Sequence, residues 1–146
     1  MAQNVNPTFV KTPNWGATQI TTGTGSSGVV TVYTGGANGS KIPGFIGVGI
    51  GTTSAFDVQW GVSSGGTLFL HGTVSVPAGA GSTSAIPSVN VFNGANTPGL
   101  TIDSDGNPFL FLASSNYSLQ AKTPATSSTW AAGAVINLIA PSVGDF

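Results

Sequence analysis

The sequence predicts an all-β fold, an antiparallel β-sandwich of the jelly-roll or immunoglobulin-like kind, and three observations carry that prediction. Strand-length runs rich in Val, Ile, Thr and aromatic residues recur along the chain. Clusters of Gly, Ser, Asn and Asp separate them every ~8–12 residues, the spacing of short antiparallel strands. No stretch sustains a helical period bounded by caps. A length of 146 residues fits one domain with one core.

Residues 1–16 read as an extended N-terminal arm. Pro7 and Pro13 deny it a regular helix, and Phe9, Val10 and Trp15 give it apolar anchors. Such an arm either docks on a neighbour or lies as a first strand on its own domain. Residues 17–146 read as a single β-sandwich domain. Ala17–Thr22 is a polar strand, and Val29–Thr34 is a β-branched one. The loop 35–40 contains an Asn38-Gly39 turn signal. Lys41–Gly51 is an apolar strand in which Pro43 marks an edge, a bulge or the strand start.

Phe56–Val62 alternates cleanly, with Phe56, Val58, Trp60 and Val62 on one side and Asp57 and Gln59 on the other. Ser63-Ser64-Gly65-Gly66 then predicts a hairpin, and Thr67–Val76 returns. In that return strand Leu68, Leu70 and Val74 are expected on one face, with Phe69, His71 and Thr73 on the other. Ser88–Phe92 is a further short strand. Thr101–Asp103 and Pro108–Ala113 flank an Asp105-Gly106 hairpin turn. The continuous run Phe109-Leu110-Phe111-Leu112 predicts burial on both faces. Tyr117–Lys122 and Ala134–Ala140 complete the set.

Charge is scarce. The chain holds three Lys, four Asp, no Arg and no Glu, so 5% of its residues are charged, against about 25% in an average soluble domain. Lys11, Lys41 and Lys122 are scattered, which argues against nucleic acid, whose phosphates need clustered cations. No apolar run approaches the ~18 residues of a membrane helix. The first residues, Met1 to Pro7, lack the basic and apolar regions of a secretory signal. With no Cys, disulfides and thiolate metal sites are absent. So little net charge weakens repulsion between copies and permits association.

The residues that could do chemistry do not assemble into a motif. His71 is the sole His, and Asp57 lies across the predicted hairpin from it, so a Ser-His-Asp triad is only formally available. The Gly23–Gly28 stretch has the wrong spacing for a nucleophile elbow. Four Asp give no convincing glycosidase pair. Asp103-Ser104-Asp105-Gly106-Asn107 looks like the start of a Ca²⁺ loop, but an EF-hand needs a Glu at position twelve, where Ser114 stands. The Gly47–Gly51 run lacks the Gly-Lys-Ser/Thr ending of a phosphate loop. Trp15, Trp60 and Trp130 read as core or interface anchors ahead of a sugar platform. No enzyme, cofactor or metal is expected.

Four segments carry a family likeness: Lys11-Thr12-Pro13; the loop from Tyr33 to Lys41; the run from Asp57-Val58-Gln59 through Leu70-His71-Gly72-Thr73-Val74 to Gly81; and Asp105-Gly106-Asn107-Pro108. On these the chain resembles small tailed-bacteriophage virion proteins encoded near the major capsid gene, of the capsid decoration (head-stabilising) type. The likeness spans most of residues 11–113 and adds little over the last thirty. It implies a non-enzymatic subunit on the capsid exterior that binds the major capsid protein and clamps capsomers as a homo-oligomer, commonly a trimer. It transfers no catalytic or ligand residues. The expected partner contacts are Phe9, Val10 and Trp15 on the arm and the C-terminal Phe146. The alternative is a receptor- or glycan-binding head-fibre or tail module.

Overall fold

Alternating burial builds the molecule from strands alone. The computed structural model describes residues 11–21, 28–93, 97–124 and 131–146. Among these residues the strands are β1 (Thr12–Thr21), β2 (Val30–Thr34), β3 (Ser40–Ile42), β4 (Ile46–Ile50), β5 (Phe56–Ser64), β6 (Thr67–Val76), β7 (Val89–Asn90), β8 (Thr101–Ile102), β9 (Pro108–Leu112), β10 (Tyr117–Lys122) and β11 (Val135–Asp145). They form an antiparallel sandwich. The larger sheet runs β7-β4-β11-β3-β9-β8, with β1 on the other side of β11; the smaller runs β2-β10-β5-β6.

β11 organises the larger sheet. One of its edges pairs with β1 from Thr12↔Asp145 to Thr21↔Val135. Its other edge is shared by β4 and β3. The two share it because the expected strand Lys41–Gly51 is split at Pro43-Gly44-Phe45, where proline cannot donate to a ladder. Opposite Trp15 the register slips between Asn14 and Gly16, so Pro141-Ser142 bulges out of β11. The bulge lets a proline sit inside a central strand.

The inward side chains interdigitate into one core. Trp60, Phe45, Phe56, Phe92, Ile20, Ile42, Leu112, Leu119, Ile136 and Leu138 are fully buried. Phe45 meets Trp60 edge-on at 6.2 Å between centroids and Phe92 at 5.6 Å. His71 stacks on Trp60 at 4.9 Å. Trp60 is thus a core residue, as one of the two readings of the tryptophans has it. Trp130 lies outside the described residues.

Three expectations need correction. The arm does not end at residue 16. Residues 12–16 are the first half of β1 and carry its ladder with β11, so no boundary separates 1–16 from 17–146 there. Gly16 makes this possible, since a Cβ there would stand 2.4 Å from the Val32 carbonyl oxygen of β2. Residues 1–10 of the arm lie outside the described residues. In β6, a bulge opposite Trp60/Gly61 inserts His71 as an extra residue and flips the alternation. Phe69 therefore shares the Trp60 face, while Leu68 and Leu70 turn outward beside Ser63 and Gly61. Finally, β9 is covered on one face only. Leu110 and Leu112 are buried, whereas Phe111 is 51% exposed.

Candidate interaction surface

The two outer faces of the sandwich differ. Cross-strand partners share a face, so register assigns each residue. The smaller sheet turns Thr31, Gln120, Lys122, Gln59, Thr73, Asp57 and Ser75 outward over most of its length. Several of these pair with each other, as Gln120 Nε2 donates to Thr31 Oγ1 at 3.0 Å and Thr34 bonds Ser118 at 3.2 Å. This is the solvated face expected of an antiparallel sheet.

The larger sheet turns apolar side chains outward instead. Its rows read Ala17–Ile139–Ile46 and Thr21–Val135–Ile50, with Gln19–Asn137–Val48 between them. Farther along, Lys41 and Phe111 form the next outward pair. Among the strand residues described, Lys41 is the sole charge on this face, and its ammonium lies 4.4 Å over the Phe109 ring. Phe146 packs on Phe111 at 5.9 Å between centroids, and its backbone N–H donates to the Gly39 carbonyl at 3.1 Å. Phe109, Phe111 and Phe146 thus make an aromatic patch at the C-terminal end of β11.

Two shallow grooves lie on the same face, on either side of the Pro141-Ser142 bulge. One, of about 310 Å³, is lined by Trp15, Ala17, Thr18, Gln19, Asn137 and Ile139. The other, of about 220 Å³, is lined by Pro13, Lys41, Pro43, Ser142, Val143 and Gly144. Trp15 is 66% exposed. The structure therefore separates the expected contact residues. Phe146 belongs to the aromatic patch, Trp15 to the larger groove, and Phe9 and Val10 lie outside the described residues.

The titratable residues are absorbed by the fold. Asp145 accepts from the Tyr33 hydroxyl at 2.9 Å, from Asn14 Nδ2 at 3.2 Å and from the buried Ser40 hydroxyl, which itself accepts from Gly36 N–H at 2.7 Å. This cluster ties β1, β2, β3 and β11 together. Burial pushes the Asp145 carboxyl up, but the bonds from Ser40, Tyr33 and Asn14 outweigh it and hold the group below the usual carboxylate range. Burial, then the hydrogen bond and charge of Asp145, push the Tyr33 hydroxyl up. A lowered folded-state value means that Asp145 contributes stability above about pH 4, the unfolded carboxyl value. That contribution is lost as pH falls through the folded value. Asp145→Asn should therefore cost roughly 2 kcal/mol near neutrality. The gap from wild type should narrow as pH falls below about 4 in urea unfolding curves; a gap independent of pH would remove the ionised clasp.

The formal catalytic sets do not come together. Asp57 faces Ser75 across the hairpin, whereas His71 sits at the bulge, stacked on Trp60, with Nε2 3.0 Å from the Pro98 carbonyl. One elbow-like spacing escaped the sequence reading, Gly61-Val62-Ser63-Ser64-Gly65. It runs along β5 into the β-turn at Gly65-Gly66, not from a strand into a helix, and Ser63 is 5% exposed. Asp103 closes its own turn, its Oδ1 accepting from Asp105 N–H at 3.0 Å and Asn107 N–H at 2.8 Å. No cluster of three metal-ligating side chains occurs among the described residues. The Gly47–Gly51 run allows close packing, since Cβ atoms at Gly47 and Gly49 would stand 3.0 Å from Val76 and 2.8 Å from Thr52. No helix among the described residues is long and apolar enough to cross a membrane. The chain matches no family model, no curated protein and no solved structure.

Proposed function

We propose that the chain is a non-enzymatic virion structural protein that binds the outer surface of a phage capsid and stabilises it, with the major capsid protein as partner. One observation supports this above the others. The larger sheet presents an apolar outer face with little charge, while the smaller sheet is polar over most of its outer face, apart from Leu68 and Leu70 at the hairpin end. An apolar face rimmed by polar loops is the signature of a surface that is covered in use. The resemblance to decoration proteins supplies the identity of the cover. The contact is made at the C-terminal end of the face, where Phe109, Phe111 and Phe146 offer rigid aromatic area at low entropic cost. Lys41 gives that patch a charge, available to a carboxylate on the capsid.

Binding at many equivalent sites stabilises the shell because it favours the assembled state by mass action. Association between copies fits the same low charge, and a homo-oligomer would multiply weak contacts into avid ones. Cosedimentation with capsids that lack the protein tests the contact. Phe111→Ser is expected to weaken binding at least about tenfold, the loss of one interface anchor. Gln120→Ala, on the polar face, should leave it unchanged. Deleting residues 1–10 tests the part played by Phe9 and Val10. Equal binding by wild type and Phe111→Ser would remove the patch from the mechanism.

A further inference from the structure

Trp15 is the largest exposed side chain of the larger groove, and its surroundings differ from those of the aromatic patch. It stands on β1 two residues from Ala17 and four from Gln19, and shares the groove with Asn137 and Ile139 of β11. Gln19 Nε2 donates to Asn137 Oδ1 at 2.8 Å. That bond fixes both amides and leaves each with capacity to spare. Gln19 retains its carbonyl oxygen and one N–H, and Asn137 retains both N–H groups. Turning both amides over leaves the same kind of remainder, donors on one residue and an acceptor on the other. The groove thus combines an exposed indole at one end, a fixed donor–acceptor pair four residues farther along β1 and an aliphatic wall at Ile139 between them. No charged residue lines it.

These features match one ligand chemistry. We propose that the groove binds a pyranose ring of a neutral saccharide. The axial C–H face of such a ring is apolar and stacks on indole, whereas its equatorial hydroxyls each donate and accept. The Gln19–Asn137 pair offers both partners to two adjacent hydroxyls. Without a cation or an anion in the lining, a sialic or uronic acid finds no counter-charge, so selection runs toward neutral sugars. The volume lies at the lower end of the ~300–1,000 Å³ range of ligand clefts, room for one or two rings. The groove lies on the same outer face as the proposed capsid contact but outside its aromatic patch. Phe111 is level with Pro13 through Lys41 and Gly144, so it stands three strands across the sheet from Trp15 and two residues along it. At ~4.8 Å per strand and ~3.3 Å per residue this is roughly 16 Å between backbones.

The test uses the full chain and soluble probes: methyl gluco-, galacto- and mannopyranosides, a neutral trisaccharide and sialyllactose. Saturation-transfer NMR and tryptophan fluorescence report binding. At least one neutral probe should saturate in the millimolar range, with sialyllactose weaker. Trp15→Ala should reduce affinity at least about tenfold, the loss of one stacking platform, and Asn137→Ala should reduce it as well. Phe111→Ser should leave it unchanged. Because Trp15 is exposed, its replacement leaves the core intact, and thermal unfolding of the variant verifies this. Failure of every neutral probe to saturate, binding undiminished in Trp15→Ala, or preference for sialyllactose would each overturn the assignment. Cosedimentation of Asn137→Ala with capsids keeps this result separate from the proposed capsid role: lost saccharide binding with retained capsid binding concerns the groove alone.

Discussion

Trp60→Ala is expected to destabilise the protein by about 3–5 kcal/mol, the cost of truncating a fully buried large aromatic. At this chain length that corresponds to a fall of roughly 10–15 °C in Tm. The side chain is 0% exposed and holds Phe45, Phe92 and His71 around it. Its loss opens a cavity between the sheets that rigid strands cannot close. Trp60→Phe should cost far less, about 1–2 kcal/mol, because the indole Nε1 has no hydrogen-bond partner and only volume is lost. Urea unfolding of both variants checks this. A Trp60→Ala cost below about 1 kcal/mol would contradict the described core.

Gly61→Ala should cost about as much, near 3 kcal/mol, through a different cause. A Cβ there would stand 1.9 Å from the Phe69 carbonyl oxygen and 2.9 Å from Leu70 Cα. Those atoms belong to the backbone of β6, so no side chain can swing aside, and the strands must part at the His71 bulge. Overpacking costs ~1–3 kcal/mol, and the broken ladder adds to it. Gly65→Ala, in the turn of the same hairpin, serves as the comparison. Its φ of +57° is strained for alanine, yet nothing stands within 4 Å, so about 1 kcal/mol is expected. Thermal unfolding and hydrogen exchange across residues 67–72 separate the two. Equal effects at Gly61 and Gly65 would mean that the bulge is not as described.

The elements set by local pattern were legible in the sequence. The Phe56–Val62 alternation, the Gly65-Gly66 turn and the strands at Val30, Thr67 and Tyr117 stand where the residues place them, because each depends on side chains within a few positions. What escaped depends on partners far along the chain. The His71 bulge exists because of how β6 meets Gly61, which no periodicity in Thr67–Val76 reveals. The run Phe109–Leu112 looks like a doubly buried strand, and only the open outer face of its sheet shows Phe111 to be exposed. Trp15 was legible as an apolar anchor. Its grouping with Gln19 and Asn137 was not, since it rests on pairing β1 with β11 across more than a hundred residues. Phe146 offered one terminal aromatic, with no local signal for its contact with Phe111. The scarcity of charge took on structural meaning only when register put Lys122 and Asp57 on one outer face and, among the described strand residues, left Lys41 alone on the other.

The central claim is that this apolar face covers a capsid. Quantitative mass spectrometry of purified particles, with the major capsid protein as internal reference, tests it most directly. The protein should be present in a fixed ratio to the capsomers and be released, then rebound, without loss of the shell. Absence from the particle, or a few copies confined to one vertex or the tail, would contradict it.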